Sequence, residues 1–153
     1  MHRSGFVNII GNPNVGKSTV FNYLTGLRQH TGNWPGKTVT NAQGWCEHRG
    51  RGYVLVDLPG IYSLMAHSAE EEVARDFLCF GAAAEAEGAQ AAPSRCMADA
   101  AVVVCDATCL ERNLNLVLQT LELMPRTVVC VNLMDEAKRK HIRVDLPLIA
   151  KRL

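Results

Sequence analysis

The chain has almost no net charge, with 16 basic residues against 15 acidic ones. Without a basic excess it lacks the electrostatic footprint of a general nucleic-acid binder, so no nucleic acid is expected as a partner. Long apolar runs are missing too. The longest, Met97 to Cys105, contains Asp99 and falls far short of the ~20 residues that a membrane span needs. Met1-His2-Arg3-Ser4-Gly5-Phe6 shows no apolar signal core with a small-residue cleavage site. Cys46, Cys79, Cys96 and Cys109 form no C-x-x-C pair, which argues against zinc. Cys105 and Cys130 sit in strand-like runs, where cysteine acts as a small hydrophobe. These absences describe a soluble, cytosolic domain with reduced thiols. What is present is core material. Hydrophobic residues make up 48% of the 153, enough for one packed domain.

Apolar runs alternate with helical patterns, which predicts an α/β fold: a mostly parallel central sheet flanked by helices. A first strand is expected over Gly5 to Ile10, then a glycine-rich turn. A helix follows from Gly16 to Thr25, with Val20, Phe21 and Leu24 on one face and Gly26 as its cap. His30 to Asn41 has no period and reads as a long loop. Ala42 to His48 and Tyr53 to Asp57 read as strands joined by the turn Arg49-Gly50-Arg51-Gly52. Ser68-Ala69-Glu70-Glu71 is a capping box, continued by Val73, Phe77 and Phe80. Residues 81–97 are read as an insertion or loop, alanine-rich as far as Pro93. Ala100 to Asp106 has the continuous apolarity of a parallel strand buried on both faces. Leu110, Leu114, Val117, Leu118 and Leu121 then repeat at helical spacing, Thr127 to Asn132 reads as another buried strand, and Asp145 caps a helix from Leu146.

Gly11-Asn12-Pro13-Asn14-Val15-Gly16-Lys17-Ser18 fits G-x-x-x-x-G-K-[ST] between an expected strand and helix. In that context glycines let backbone N–H groups wrap phosphates at the positive end of a helix dipole. Lys17 then faces the terminal phosphates and Ser18 offers an oxygen to magnesium. Asp57-Leu58-Pro59-Gly60 closes a strand; Asp57 is placed to organise magnesium and Gly60 to bring its N–H to the last phosphate. Alone, Asp-x-x-Gly is only a turn; behind a phosphate loop the functional reading prevails. Asn132-Leu133-Met134-Asp135 supplies a carboxylate that can accept two hydrogen bonds from guanine, while Asn132 braces the phosphate loop and contacts the base edge. Thr38, in the loop, could complete the magnesium shell only when the third phosphate is present. The expected nucleotide-binding set is thus Gly11, Asn12, Pro13, Asn14, Val15, Gly16, Lys17, Ser18, Thr19, Gly36, Thr38, Asp57, Gly60, Asn132 and Asp135. Lys17, Thr38 and Gly60 are the catalytic candidates, and Ser18, Thr38 and Asp57 the magnesium ligands.

With these motifs the chain resembles the N-terminal GTPase domain of the ferrous-iron transport protein B (FeoB) family. The resemblance rests on the phosphate loop, on Gly32-Asn33-Trp34-Pro35-Gly36 with Thr38, and on Asp57-Leu58-Pro59-Gly60-Ile61-Tyr62-Ser63-Leu64. It continues through Asp106-Ala107-Thr108, Leu110-Glu111-Arg112-Asn113-Leu114 and Val131-Asn132-Leu133-Met134-Asp135. It implies a P-loop NTPase fold of the GTPase (TRAFAC) type and a domain that binds GTP and GDP with magnesium. It further implies GTP hydrolysis on the cytoplasmic face of the cell membrane, beside the helical and transmembrane iron-permease domains of a full-length transporter. Family members also use potassium, which places Asn14 as a potassium ligand, helped by carbonyls of Asn33-Trp34. Ile61 stands where many small signalling GTPases carry a water-orienting glutamine, so slow intrinsic turnover, faster in potassium than in sodium, is expected.

Some positions depart from the family pattern. Lys37 replaces a usually apolar residue and is either solvated or in contact with phosphate. Only 18 residues follow Asp135, read as a loop and one helix. The family's next strand and its Ser-Ala-type loop, the fifth recognition element, are therefore expected to be absent, base recognition weakened, and one sheet edge left short. Lys138-Arg139-Lys140-His141-Ile142-Arg143 reads as a solvated surface, and His30, His67 and His141 are too scattered to hold a metal. The competing readings are a ribosome- or tRNA-associated GTPase and a nucleotide-sensing switch with negligible hydrolysis.

Overall fold

A computed structural model describes residues 5–26, 29–33, 40–65, 67–80 and 98–153. The elements are β1 (Gly5–Gly11), α1 (Lys17–Thr25), β2 (Gln29–Asn33), β3 (Thr40–His48), β4 (Arg51–Asp57) and α2 (Ala69–Phe80). β5 (Ala100–Asp106), a single 3-10 turn (Ala107–Cys109), α3 (Leu110–Leu123), β6 (Thr127–Asn132), α4 (Met134–Arg139) and α5 (Leu146–Arg152) complete the chain. They form a mixed six-stranded sheet in the order β2-β3-β4-β1-β5-β6. The four strands β4, β1, β5 and β6 are parallel, and β2 and β3 pair antiparallel along one side.

Neighbouring residues of the central strands go to opposite faces, and both faces are apolar. Ile9, Leu55 and Val104 pack with Val15 and Phe21 under α1. Ile10, Val56 and Val103 pack with Ala74, Phe77 and Leu78 of α2 and Leu116 and Val117 of α3. The continuous apolar runs seen in the sequence are thus the middle layer of a three-layer sandwich. Ser68 Oγ accepts from the Glu71 N–H at 3.2 Å, and Glu71 reaches back to the His67 N–H at 3.0 Å, so the capping box starts α2 as expected. Asp145 caps α5 by accepting from the Leu148 N–H at 2.9 Å. No helix among the described residues is long and apolar enough to cross a membrane.

Several expectations need correction. The stretch read as a loop from His30 holds β2, paired from Gln29↔Gly44 to Asn33↔Thr40. Its Gly, Thr and Asn residues carry no alternation, and the strand exists because β3 presents an open edge to pair with. Residues 34–39, and with them Gly36, Lys37 and Thr38, lie outside the described residues, as does the insertion at 81–97. The hairpin turn is only Arg49-Gly50, at φ 50° and 71°, and Arg51 and Gly52 already belong to β4. β6 is no buried strand: Val128 is 59% exposed, and among the described strands only β5 pairs with it. Leu118 and Leu24 turn outward, and the buried stripe of α3 is Asn113, Leu116, Val117 and Thr120. α4 follows Asn132 directly, in a segment too short and polar to show a period; its anchor is the buried Ala137.

Asn8 is an anomaly of the core. It sits mid-β1 beside Val56 and Ala101, is fully buried, and neither its Oδ1 nor its Nδ2 has a hydrogen-bond partner among the described residues. An amide so placed keeps its desolvation cost without return. Asn8→Val is therefore expected to stabilise the domain by about 1–2 kcal/mol. Urea unfolding should show a higher midpoint at unchanged slope, and a lower midpoint would disprove the reading.

Candidate functional site

The parallel strands deliver their carboxyl ends to one edge of the sheet, the place where open α/β folds bind ligands. β1 runs out at Gly11 into a loop with Asn14 at φ 64° and Gly16 at φ 80°. The loop turns directly into α1, which has no side-chain cap and no acidic residue in its first turn. Its leading N–H groups therefore point outward toward a cavity of about 460 Å³. Asn12, Pro13, Asn14, Gly16, Lys17, Ser18, Thr19 and Gly60 line that cavity. Its size and donor-rich wall suit a phosphate chain.

β4 brings in Asp57, in register with Ile9 of β1. The chain beyond it is pinned to β1 twice, by Leu58 N–H to Ile9 O at 2.9 Å and Ile61 N–H to Gly11 O at 3.1 Å. Between these bonds Gly60 passes so close to the loop that a Cβ there would stand 3.2 Å from Pro13 Cα. Lys17 Nζ donates to Asp57 Oδ1 in an ion pair whose side chains are only 12% and 13% exposed. Ile61 points away into the core at 2% exposure, so its side chain cannot orient anything in the cavity.

β6 contributes from two strands away. Asn132 Nδ2 donates to the Val15 carbonyl at 2.9 Å, the bracing contact expected from the sequence. The same amide explains Gly16, since a Cβ there would run into Nδ2 of Asn132. Leu133 takes a left-handed φ of 60° and starts α4, which leaves Asp135 on the surface, paired with Arg139 at 3.3 Å. The expected residues thus divide by place. Most of the phosphate loop lines the cavity, with Gly60 above it and Asp57 joined through Lys17. Gly11 and Val15 form the structure beneath, and Asn132 stands behind.

Two hydrogen-bond networks were missed, one local and one long-range. Asp106 Oδ1 accepts from both the N–H and the hydroxyl of Thr108 at 2.7 Å, and the Asp106 N–H donates to Asn113 Oδ1 at 3.2 Å. The Asp-x-Thr spacing was a readable signal for this turn. Burial pushes the Asp106 pKa up, but the Thr108 hydroxyl and N–H, Cys109 and the Lys140 charge outweigh it and hold the carboxyl below its ordinary value. The second network joins Gln119 to residues 63–65 and has no local sequence signal. Burial drives the Cys105 thiol up to about 12 and raises Cys46 and Cys130, which keeps these thiols protonated. No cluster of three or more metal-ligating side chains exists among the described residues. A second hollow, about 530 Å³, lies between β6 and α5 among Leu121, Val129, Val131, Leu146, Ile149 and Leu153, and no ionisable side chain lines it.

The sequence model of the ferrous iron transport protein B family matches residues 6–153, nearly the whole chain. The chain belongs to that family. It is 39% identical over 151 residues to the Fe(2+) transporter FeoB of Salmonella typhimurium, covering 96% of this chain and 18% of the relative. The chain thus spans about a fifth of the length of that curated relative. The G domain of the T. maritima FeoB iron transporter superimposes with a TM-score of 0.82 at 34% identity, over 99% of this chain and 83% of that one. The cytosolic domain of T. maritima FeoB in its GMPPNP form gives 0.82 at 35% identity, over 96% and 52% of the two chains. The FeoB-family domain therefore has the P-loop NTPase fold of FeoB G domains.

Two tests probe this geometry. Asn132→Ala orphans the Val15 carbonyl and should cost about 1–3 kcal/mol. It also frees the space that a Cβ at position 16 needs, so Gly16→Ala should cost less in that background, by at least ~0.5 kcal/mol in a double-mutant cycle. Additive costs in urea unfolding would contradict the contact. The Asp106 pair sets a pH dependence. Because the folded carboxyl holds its proton less tightly than the unfolded one, its contribution is full above ~4 and lost as pH falls through the folded value. Thr108→Val should raise the acid-unfolding midpoint followed by circular dichroism, whereas an unmoved midpoint would show the bond to be inert.

Proposed function

We propose that this domain binds guanine nucleotide with magnesium and hydrolyses GTP to GDP and phosphate, and that its nucleotide state regulates ferrous iron uptake by a membrane permease. The observation that carries the reading is the cavity over the phosphate loop, with the Lys17–Asp57 pair on its rim and the uncapped start of α1 at its floor. The T. maritima FeoB domain in a GMPPNP form supports a guanine nucleotide as the occupant. In this reading Lys17 leaves Asp57 and turns to the β- and γ-phosphates, and the leading N–H groups of α1 take the phosphate oxygens. Gly60, held over Pro13, offers its N–H to the terminal phosphate, while Asn132 keeps the loop from opening.

The donor set suits magnesium. Ser18, which lines the cavity, and Asp57, joined to it through Lys17, carry hard oxygen donors, and Thr38 is proposed as the third ligand. Magnesium would neutralise charge on the phosphoryl oxygens. Asn14, exposed on the cavity wall, is proposed to hold potassium through its amide oxygen. Asp135 on the first turn of α4 and Asn132 are proposed to read guanine. With Ile61 buried, no side chain at that position orients the attacking water, so turnover without further help is slow. The helical and permease domains of a longer transporter, at the cytoplasmic face of the membrane, are the proposed partners.

A fluorescent GDP analogue should bind in magnesium and be displaced by GTP but not by ATP. Lys17→Ala should weaken it at least about tenfold, or ~1.4 kcal/mol. Phosphate release from GTP should run about tenfold or more faster in potassium than in sodium, and Asn14→Ala should erase that difference. Displacement by ATP as readily as by GTP would sink the guanine reading, and equal rates in the two salts would sink the role of Asn14.

A further inference from the structure

The segment that follows Asp57 is fastened at every third residue. Leu58, Ile61 and Leu64 all bury their side chains in the cluster shared with α2 and α3. Their backbone N–H groups are all taken as well. The first two donate to Ile9 O and Gly11 O of β1, but the third donates to a side chain, Gln119 Oε1, at 2.7 Å. The same oxygen accepts from Ser63 Oγ at 3.1 Å, and Ser63 Oγ in turn accepts from the Met65 N–H at 3.0 Å. One acceptor on the middle of α3 thus gathers residues 63–65 into a fixed turn.

Gly60 lies between the first and second fasteners, on the cavity rim against Pro13. Beyond Ile61 the chain crosses the surface, where Tyr62 and Met65 are exposed, so apolar packing alone grips it only at Leu64. An N–H at Leu64 that lost its acceptor would be a half-buried orphan, and the turn would leave α3 to find water. Slack there runs back through Tyr62 to Ile61, whose bond to Gly11 O then has to hold the Gly60 end of the segment without support from α3.

We propose that Gln119 is a positioning residue: by holding residues 63–65 it keeps the Gly60 N–H over the phosphate loop, where a terminal phosphate would meet it. The inference rests on the guanine-nucleotide reading above and adds to it a residue of α3 that touches no ligand. It makes affinity for a triphosphate, which reaches Gly60, depend on Gln119, while affinity for a diphosphate, which does not, is nearly independent of it.

The test compares Gln119→Met, which keeps the length and loses the acceptor, with Gln119→Glu, which keeps the acceptor. Ser63→Ala, which removes one of the two donors, is the control from the opposite side. Fluorescent GDP and GMPPNP analogues are titrated in magnesium, and amide hydrogen exchange is followed over residues 60–65. Gln119→Met should weaken GMPPNP about fivefold or more, the loss of one to two hydrogen bonds, with GDP within about twofold of the parent. Exchange at Leu64 and Met65 should speed up. Gln119→Glu should restore both readouts, and Ser63→Ala should fall between. Equal weakening of both nucleotides, an unchanged ratio, or Gln119→Glu behaving like Gln119→Met would overturn the proposal. If the parent chain binds neither analogue, the nucleotide reading itself fails, whereas binding with an unmoved ratio discards Gln119 alone.

Discussion

The bond from Asn132 to the Val15 carbonyl at 2.9 Å joins the carboxyl end of β6 to the loop that leaves β1, across the end of β5. Much of the site depends on it. The loop turns through two left-handed residues, Asn14 and Gly16, and such a path is held only where surrounding contacts over-determine it. Asn132 supplies one contact from above, and the core packing of Val15 under α1 supplies another from below. Together they set where α1 begins, and so the direction of its N–H groups and the root of Lys17. A loop built this way is organised before any ligand arrives, and the ordering cost has already been met in folding.

The other wall of the cavity is built by a different device. Leu58 and Ile61 are tied to β1 by backbone hydrogen bonds, whereas Leu64 is tied by the side chain of Gln119. The first two fasteners run to backbone carbonyls of β1 and are backed by side chains buried in the core. The third belongs to α3 and can open alone, because a single side-chain bond is worth little net free energy. The wall carrying Gly60 is therefore graded from rigid to releasable along seven residues.

Much of this was readable in advance. The phosphate loop, its strand and its helix were legible because each local preference agreed: an apolar run, glycines where φ is positive, and an apolar face at helical spacing. Ser68 and Asp145 announced their helices for the same reason. β2 was not legible, since Gln29–Asn33 has no strand pattern and pairs only because β3 offers an edge. Leu118 and Val128 looked like core residues, yet the helix turns one outward and the sheet leaves the other uncovered. Gln119 could not have been found at all, because its partners lie 55 and 56 residues away and nothing near it repeats.

By itself the sequence determined the local chemistry of this protein: which residues can wrap an anion, which can carry charge to it, and the family pattern of their spacing. These are short-range properties, written in conformational preference and hydrogen-bonding capacity. Only the tertiary structure decided that Lys17 meets Asp57, that the brace from Asn132 lands on the Val15 carbonyl, that Asn8 is buried without a partner among the described residues, and that α3 holds the turn beyond Gly60. Each of these joins residues far apart in the chain. They come together because both faces of β1 must be buried, and that requirement sets strands beside it and helices on either side.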